Sequence, residues 1–270
     1  MTNYHLHFTK MHALGNDFVV INALTQPLQW TKATIMHLGD RHRGIGFDQL
    51  LIVEASTRAD FFCRIYNTDG SEAEQCGNGL RCVARFIREA GLIASSQFRI
   101  ETKAGIFPIE IPDYDHISMT MGVPIIQEKL IELDATLKEG ALVQPVSIIS
   151  LGNPHAILKV DAIQTVPVTA WGLAIAAHAR FPQGANVGFM QVMDRSHIKL
   201  RTHERGAGET HACGSNACAA VVAGIANHWL DHRVSVEFRY GSLIIEWEGP
   251  GKALRMIGPA TRVFDGEMVL

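Results

Sequence analysis

Two cysteines, each followed at once by glycine, stand at Cys76-Gly77-Asn78-Gly79 and Cys213-Gly214-Ser215-Asn216, 137 positions apart. Each introduces an apolar, helix-like segment. A thiol just ahead of a helix sits in the positive end of the helix dipole, beside backbone N–H groups with no intrahelical partner. Such surroundings favour thiolate, lowering a free cysteine pKa of about 8.5 by one to several units. Glycine at Gly77 and Gly214 lets a ligand carboxylate approach the exposed amides. Two such helix starts would grip one carboxylate and set a sulfur on either face of its α-carbon, which suits inversion. Inversion needs a base on one face and an acid on the other, because a single group returns the proton it removed. One sulfur must be thiolate and the other thiol, with the states exchanged at each turnover, so their titrations are coupled. The carbanion is a poor leaving state, so backbone donors must stabilise the charge that builds on the carboxylate, away from water. A pyridoxal enzyme would need a Schiff-base lysine with a phosphate cradle. No convincing candidate is found, so no cofactor is expected.

The elements that must position these thiols repeat with them. Adding 137 to Asn16, Gln49 and Asn67 gives Asn153, Asn186 and Glu204, with no net insertion or deletion. Leu14-Gly15-Asn16-Asp17 answers Leu151-Gly152-Asn153-Pro154. A duplicated fold follows. In the first half, Phe18 to Ile21, Leu50 to Val53 and Phe61 to Tyr66 read as strands, the last ending in the turn Asn67-Thr68-Asp69-Gly70. Leu80, Val83, Ala84 and Ile87 recur at helical spacing, and Gly91 supplies a helix end. Phe98 to Thr102 and Ile106 to Ile111 form a hairpin, with Pro108 pointing to an edge strand. In the second half, Ala156 to Val160, Val187 to Val192 and Ile198 to Arg201 are strands, and a second hairpin lies near 234–246. Asn216 to Ile225 is apolar all round, as a central buried helix would be. The stretch 112–145, with its prolines, its acidic residues and the segment Gln127 to Leu137, is where the domain boundary is expected.

A chain of 270 residues, 47% hydrophobic, suits two ordinary cores. With 24 Lys and Arg against 27 Asp and Glu, no basic run or basic-aromatic stripe marks a nucleic-acid partner. No run approaches a membrane span, and His5, His7 and Lys10 do not make a leader, so a soluble cytoplasmic protein is expected. Five cysteines without a secretion signal read as reduced thiols. Cys63, Cys82 and Cys218 lack the following glycine and read as small buried hydrophobes. His211/Cys213 and Cys76/Cys82 do not have the spacing of zinc ligands, so no metal is expected. Neither Cys-x-x-Cys nor a phosphate loop after Gly206-Ala207-Gly208 is present.

These segments carry a resemblance. Lys10-Met11-His12-Ala13-Leu14-Gly15-Asn16-Asp17-Phe18, Gly46-Phe47-Asp48-Gln49, Asn67-Thr68-Asp69-Gly70-Ser71-Glu72, Gly152-Asn153-Pro154-His155, Asn186-Val187-Gly188-Phe189 and Glu204-Arg205-Gly206-Ala207-Gly208-Glu209-Thr210 join the two cysteine motifs. Together they make the chain similar from end to end to the diaminopimelate epimerase family. The resemblance implies an α/β fold of two pseudo-symmetric domains, each a β-barrel-like sheet wrapped around a central helix, with the active site in the interdomain cleft. The expected domains are 1–118, to which a last strand at 260–270 returns, and 119–259.

The implied reaction interconverts LL- and meso-2,6-diaminopimelate without cofactor or metal, in lysine and peptidoglycan precursor biosynthesis. By resemblance, Cys76 and Cys213 are the acid/base pair. Gly77, Asn78, Gly214 and Ser215 hold the reacting carboxylate, and Asn16, Gln49, Asn67, Asn153, Asn186, Glu204 and Arg205 bind substrate. His155 and Glu204 match positions that tune the cysteine pKa values. The family commonly forms homodimers, and Phe264 stands where relatives often carry tyrosine at the dimer contact. Ala13 and Asn216 also depart from the pattern, each standing where glycine is usual.

Two other readings compete. A proline or hydroxyproline racemase of the same fold would use the same thiols on a substrate with one carboxylate and no distal ammonium, leaving Arg205 and its carboxamide neighbours without a task. A redox-sensing binding protein would instead use the two thiols as a switch.

Overall fold

The computed structural model describes residues 4–26, 29–137 and 140–270. The chain divides into two compact units, Met1–Met119 with Gly258–Leu270, and Thr120–Ile257. The first half runs β1 (His5–Ala13), β2 (Asn16–Asn22), α1 (Lys32–Gly39), β3 (Gln49–Glu54), β4 (Phe61–Asn67), β5 (Glu72–Ala73), α2 (Gly77–Glu89), β6 (Gln97–Thr102), β7 (Gly105–Glu110) and β8 (Ile117–Thr120). There follow β9 (Ile125–Leu137), β10 (Gly140–Ser150), β11 (Pro154–Lys159), a short 3₁₀ turn (Ile163–Thr165) and α3 (Val168–Ala176). Next come β12 (Asn186–Asp194), β13 (His197–Glu204), β14 (Gly208–Thr210), α4 (Gly214–Ala226), β15 (Arg233–Phe238), β16 (Gly241–Glu246) and β17 (Arg255–Gly258). The last strand, β18 (Thr261–Val269), pairs antiparallel with β1 in the first unit.

The duplication extends to strand register. In the first unit β2 and β3 run parallel with Phe18 opposite Gln49; in the second, β11 and β12 run parallel with His155 opposite Asn186, each partner 137 positions on. β4 and β13 then run antiparallel to β3 and β12. A turn at Gly70, whose φ of +79° suits glycine, carries β4 into β5. The offset slips by one only in the later hairpin, where β15 and β16 begin at Arg233 and Gly241 against Gln97 and Gly105 in β6 and β7.

The apolar run Phe18 to Ile21 is continuous, not alternating, because β2 is covered on both faces. Val19 and Ile21 meet Ile35 and Leu38 of α1, together with Leu50, Ile52 and Phe47, while α2 packs on strands β1 to β3. Each such fully buried Leu, Ile or Val contributes about 1.5–3 kcal/mol, which makes disulfides unnecessary to hold the unit. The second unit has the same plan. Val187 and Phe189 of β12, Val168 and Ile175 of α3, and Ala156 and Leu158 of β11 form one cluster. α4 touches every strand from β9 to β13 and also β16, so the sheet wraps around it. The helix expected to be central from its uniformly apolar sequence is buried from Asn216 to Gly224.

The division between the units at Met119/Thr120 lies within the stretch 112–145. Gln127 to Leu137, for which no element was expected, lies in β9, the outer strand of a long hairpin with β10, and Ile131, Leu133 and Ala135 point inward between exposed Glu132 and Asp134. One expectation is corrected. β7 is not an edge strand, since it pairs with β6 and with β8. Pro108 lies opposite Arg99, one residue before the β8 pairing begins at Ile109, so its missing N–H breaks no ladder bond there.

Candidate active site

In each unit the polar residues are gathered at one end of the sheet. Parallel β2 and β3 both start there and antiparallel β4 ends there, which places Asn16, Gln49 and Asn67 together. Gln49 and Asn67 are cross-strand partners, and Gln49 Nε2 donates to Asn67 Oδ1 at 2.9 Å, while Asn67 Nδ2 donates to Ser71 Oγ at 3.0 Å. Cys76 is the N-cap of α2, in extended backbone geometry. Its sulfur accepts from the Gly79 amide at 3.4 Å, a role usually taken by a side-chain oxygen. The amides of Gly77 and Asn78 come before the first intrahelical bond, from Leu80 N–H to the Cys76 carbonyl. Asn78 Nδ2 donates to Asn16 Oδ1 at 3.2 Å, joining two sequence-predicted binding residues.

The second unit repeats this plan with different chemistry. Cys213 caps α4, the amides of Gly214 and Ser215 precede the Ala217 N–H bond to the Cys213 carbonyl, and the Cys213 sulfur lies 3.4 Å from Ser215 Oγ. Cys213 is only 6% exposed, and the charge of the Glu204 carboxylate acts on its thiol. Burial first, and the Glu204 charge second, push the Cys213 thiol well above its ordinary range against the opposing pull of Ser215 and the Asn216 amide. Thr210 Oγ1 donates to Glu204. Asn186 Oδ1 accepts from the Arg205 backbone N–H at 3.0 Å, and Arg205 Nη1 donates to the Gln183 carbonyl at 3.2 Å. Gly188 in β12 leaves room for the helix start, since a Cβ there would lie 2.7 Å from Asn216 Oδ1 and 2.8 Å from Ile157 Cδ1.

His155 is fully buried. Its Nε2 lies 3.1 Å from Asn153 Oδ1, and the Asn216 side chain is close enough to act on the ring. Burial, opposed by Asn216 and aided by the Arg205 charge, lowers the imidazole to about 4. The unfolded imidazole takes up a proton near 6.5 and the folded one does not until near 4. Stability is therefore whole above about pH 6.5 and falls as pH drops through that window, by up to about 3 kcal/mol. His155→Gln should lose less stability than the wild type between pH 6.5 and 4.5 in urea unfolding. Equal losses in the two proteins would disprove this account.

Several residues of the first half-site escape sequence reading. Lys10 and Arg41 both bind Asp17. Burial raises the Asp17 carboxyl, but hydrogen bonds and charge from Arg41 and Lys10 prevail and hold it near about 2. Arg41 Nη2 also reaches Asp48 Oδ1 at 2.9 Å. Arg81 of α2 is fully buried, and its guanidinium donates to Asn78 Oδ1 at 2.8 Å, Pro259 O at 3.3 Å and Gly77 O at 3.4 Å. The duplication hides these residues, because Pro154, Ala185 and Cys218 stand 137 positions after Asp17, Asp48 and Arg81. Cys63, Cys82 and Cys218 are buried, and burial pushes the Cys63 and Cys82 thiols up. Phe264 lies on β18, half-exposed, edge-on to Phe8 with ring centroids 6.2 Å apart. Among the described residues no group of three or more His, Cys, Asp or Glu could hold a metal ion, and no helix is long and apolar enough to cross a membrane.

The model of the diaminopimelate epimerase family matches residues 8–126 and 147–263. A diaminopimelate epimerase of Pseudomonas entomophila is 47% identical over 275 residues, covering 98% of this chain and 99% of that protein. Among solved structures, a Bacillus anthracis phenazine biosynthesis protein of the PhzF family superposes with a TM-score of 0.76 at 18% identity, covering 99% of this chain and 100% of that one. A hydroxyproline epimerase of Agrobacterium vitis with bound trans-4-hydroxy-L-proline superposes with a TM-score of 0.73 at 15% identity, covering 98% and 93%. At such identities these two structures speak for the fold alone.

Proposed function

The chain belongs to the diaminopimelate epimerase family, and from that premise we propose that it is an isomerase interconverting LL- and meso-2,6-diaminopimelate by a two-thiol mechanism. The observation that carries the mechanism is the in-register pair of cysteines, each the N-cap of a largely buried helix at the polar end of its sheet. In this reading one thiolate removes the α-proton and the opposite thiol delivers a proton to the other face. The C–H bond breaks toward one sulfur, its electron pair remains on the α-carbon, and a new C–H bond forms from the other sulfur.

The amides of Gly77, Asn78, Gly214 and Ser215 receive the reacting carboxylate as charge grows on it, an electrostatic contribution that helix starts are built to make. Asn16, Gln49, Asn67, Asn153, Asn186, Glu204 and Arg205 supply the mixture that a second amino-acid end requires. A guanidinium suits its carboxylate, and carboxamide oxygens with one carboxylate suit its ammonium. Glu204 and the buried neutral His155 set the protonation of the second thiol. A homodimer through the β18 face is part of the proposal, supported by Val263, Phe264 and Val269, all about half-exposed on one strand, as is a cytoplasmic location.

The test is incubation of reduced protein with LL-diaminopimelate in heavy water without added cofactor. Deuterium at the α-carbon together with formation of the meso isomer supports the reading. Exchange into proline or hydroxyproline but not into diaminopimelate would keep the thiol chemistry and overturn the substrate.

A further inference from the structure

Two carboxamides in the first half-site lie between a group that can only donate and a group that can only accept. Arg81, fully buried in α2, has no acceptor atom, so the Asn78 side-chain atom 2.8 Å from its Nη2 must be the oxygen. The Asn78 nitrogen is thereby turned to Asn16 Oδ1, at 3.2 Å. At the far end Asp48 Oδ2 accepts from Asn16 Nδ2 at 2.8 Å and from the Asp17 N–H at 3.1 Å. A carboxylate only accepts, so this contact alone puts the Asn16 nitrogen outward and its oxygen toward Asn78. The two ends demand the same polarity. Flipping either amide would set nitrogen against guanidinium or oxygen against carboxylate, and would leave donor facing donor or acceptor facing acceptor between the two amides. Arg41 completes the anchor by gripping both Asp17 and Asp48.

We propose that Asp48, held by Arg41, is a positioning residue for the reaction, fixing through the Arg81–Asn78–Asn16–Asp48 relay which face of the Asn16 and Asn78 amides meets the substrate. The proposal rests on the reading of Asn16 and Asn78 as substrate-binding residues. Unit two sets its counterpart of Asn16 otherwise, since Asn153 Oδ1 meets the imidazole of His155 and Ala185 stands where Asp48 would be. The two half-sites therefore orient equivalent carboxamides by different means, as a substrate gripped unequally by its two binding halves requires.

Asp48 is half-exposed, so replacing it removes little packing. Asp48→Ala should raise KM for diaminopimelate about tenfold while changing kcat less than about threefold and leaving Tm within about 2 °C. In the free protein it should shift the side-chain amide resonances of Asn16 and Asn78 and speed their hydrogen exchange. Asp48→Asn keeps an oxygen for Asn16 and gives up only the contact with Arg41, which is exposed and still held by Asp17, so it should stay within about threefold of the wild-type KM. An unchanged KM with unchanged amide resonances in Asp48→Ala would overturn the proposal. So would Asp48→Asn failing as badly as Asp48→Ala, or a common fall in Tm, kcat and 1/KM, which marks a merely structural residue. Lack of diaminopimelate turnover by the wild type would instead sink the reading of the reaction, with the amide resonances still reporting on the relay.

Discussion

Cys76→Ala and Cys213→Ala will each lower conversion of LL- to meso-diaminopimelate by about 10²-fold to 10⁴-fold, the range associated with losing a positioned acid or base. On the two-thiol proposal the double variant should be hardly worse than either single one, because the first loss already breaks the proton path. Exchange without inversion separates their roles. The thiol that remains can still remove and return the α-proton of the isomer whose hydrogen faces it, so each variant should take deuterium into one isomer and not the other. Cys76 is half-buried and Cys213 nearly so completely, so the alanine at 213 leaves the larger void. Unfolding curves should show a small cost there and almost none at 76. Retention of a tenth of wild-type turnover by either single variant would refute the two-thiol mechanism.

Glu204→Gln carries the second large effect, on affinity and on pH dependence together. The carboxylate is read as the counter-charge for a substrate ammonium, and a charged hydrogen bond of about 1.5–3 kcal/mol corresponds to a rise of about 10-fold to 100-fold in KM. The same carboxylate is, second to burial, what holds Cys213 protonated. Removing its negative charge makes the thiolate easier to form, so the Cys213 pKa falls. In the direction for which Cys213 is the base, kcat/KM rises with its ionised fraction, and the midpoint of that rise must move to lower pH. In the reverse direction Cys213 is the acid, and the alkaline decline must also begin at lower pH. A profile that keeps its midpoints while KM rises would leave Glu204 as a binding group alone.

The parts of the site that repeat were legible in the sequence, and the parts that break the repeat were not. The constant offset between Asn16, Gln49, Asn67, Cys76 and their counterparts reflects strand register, since a one-residue slip would turn each side chain to the other face of its sheet. The buried α4 was legible from its uniformly apolar run. α2 was half legible: Leu80, Val83, Ala84 and Ile87 are buried as their spacing implies, but Arg81 is buried among them. No periodicity shows that a guanidinium will be satisfied by main-chain carbonyls and one carboxamide. Asp48 and Arg41 were missed because their partners lie on other strands and loops. β9 went unread as a strand because its charged residues occupy the solvent face, an alternation that composition alone does not reveal.

The pairing of β1 with β18, from His5 opposite Val269 to His12 opposite Thr261, also bears on synthesis. The second unit is one continuous stretch of chain, so each of its strand partners is present once residue 257 has left the ribosome. The first unit begins earlier and is completed only after the second, by residues 258–270. Its opening strand keeps one edge unpaired until residues 261–269 have been made, and such an edge invites pairing with other chains. Of the two units, the one that emerges first is thus exposed longest to misassembly, and its completion depends on residues 261–269.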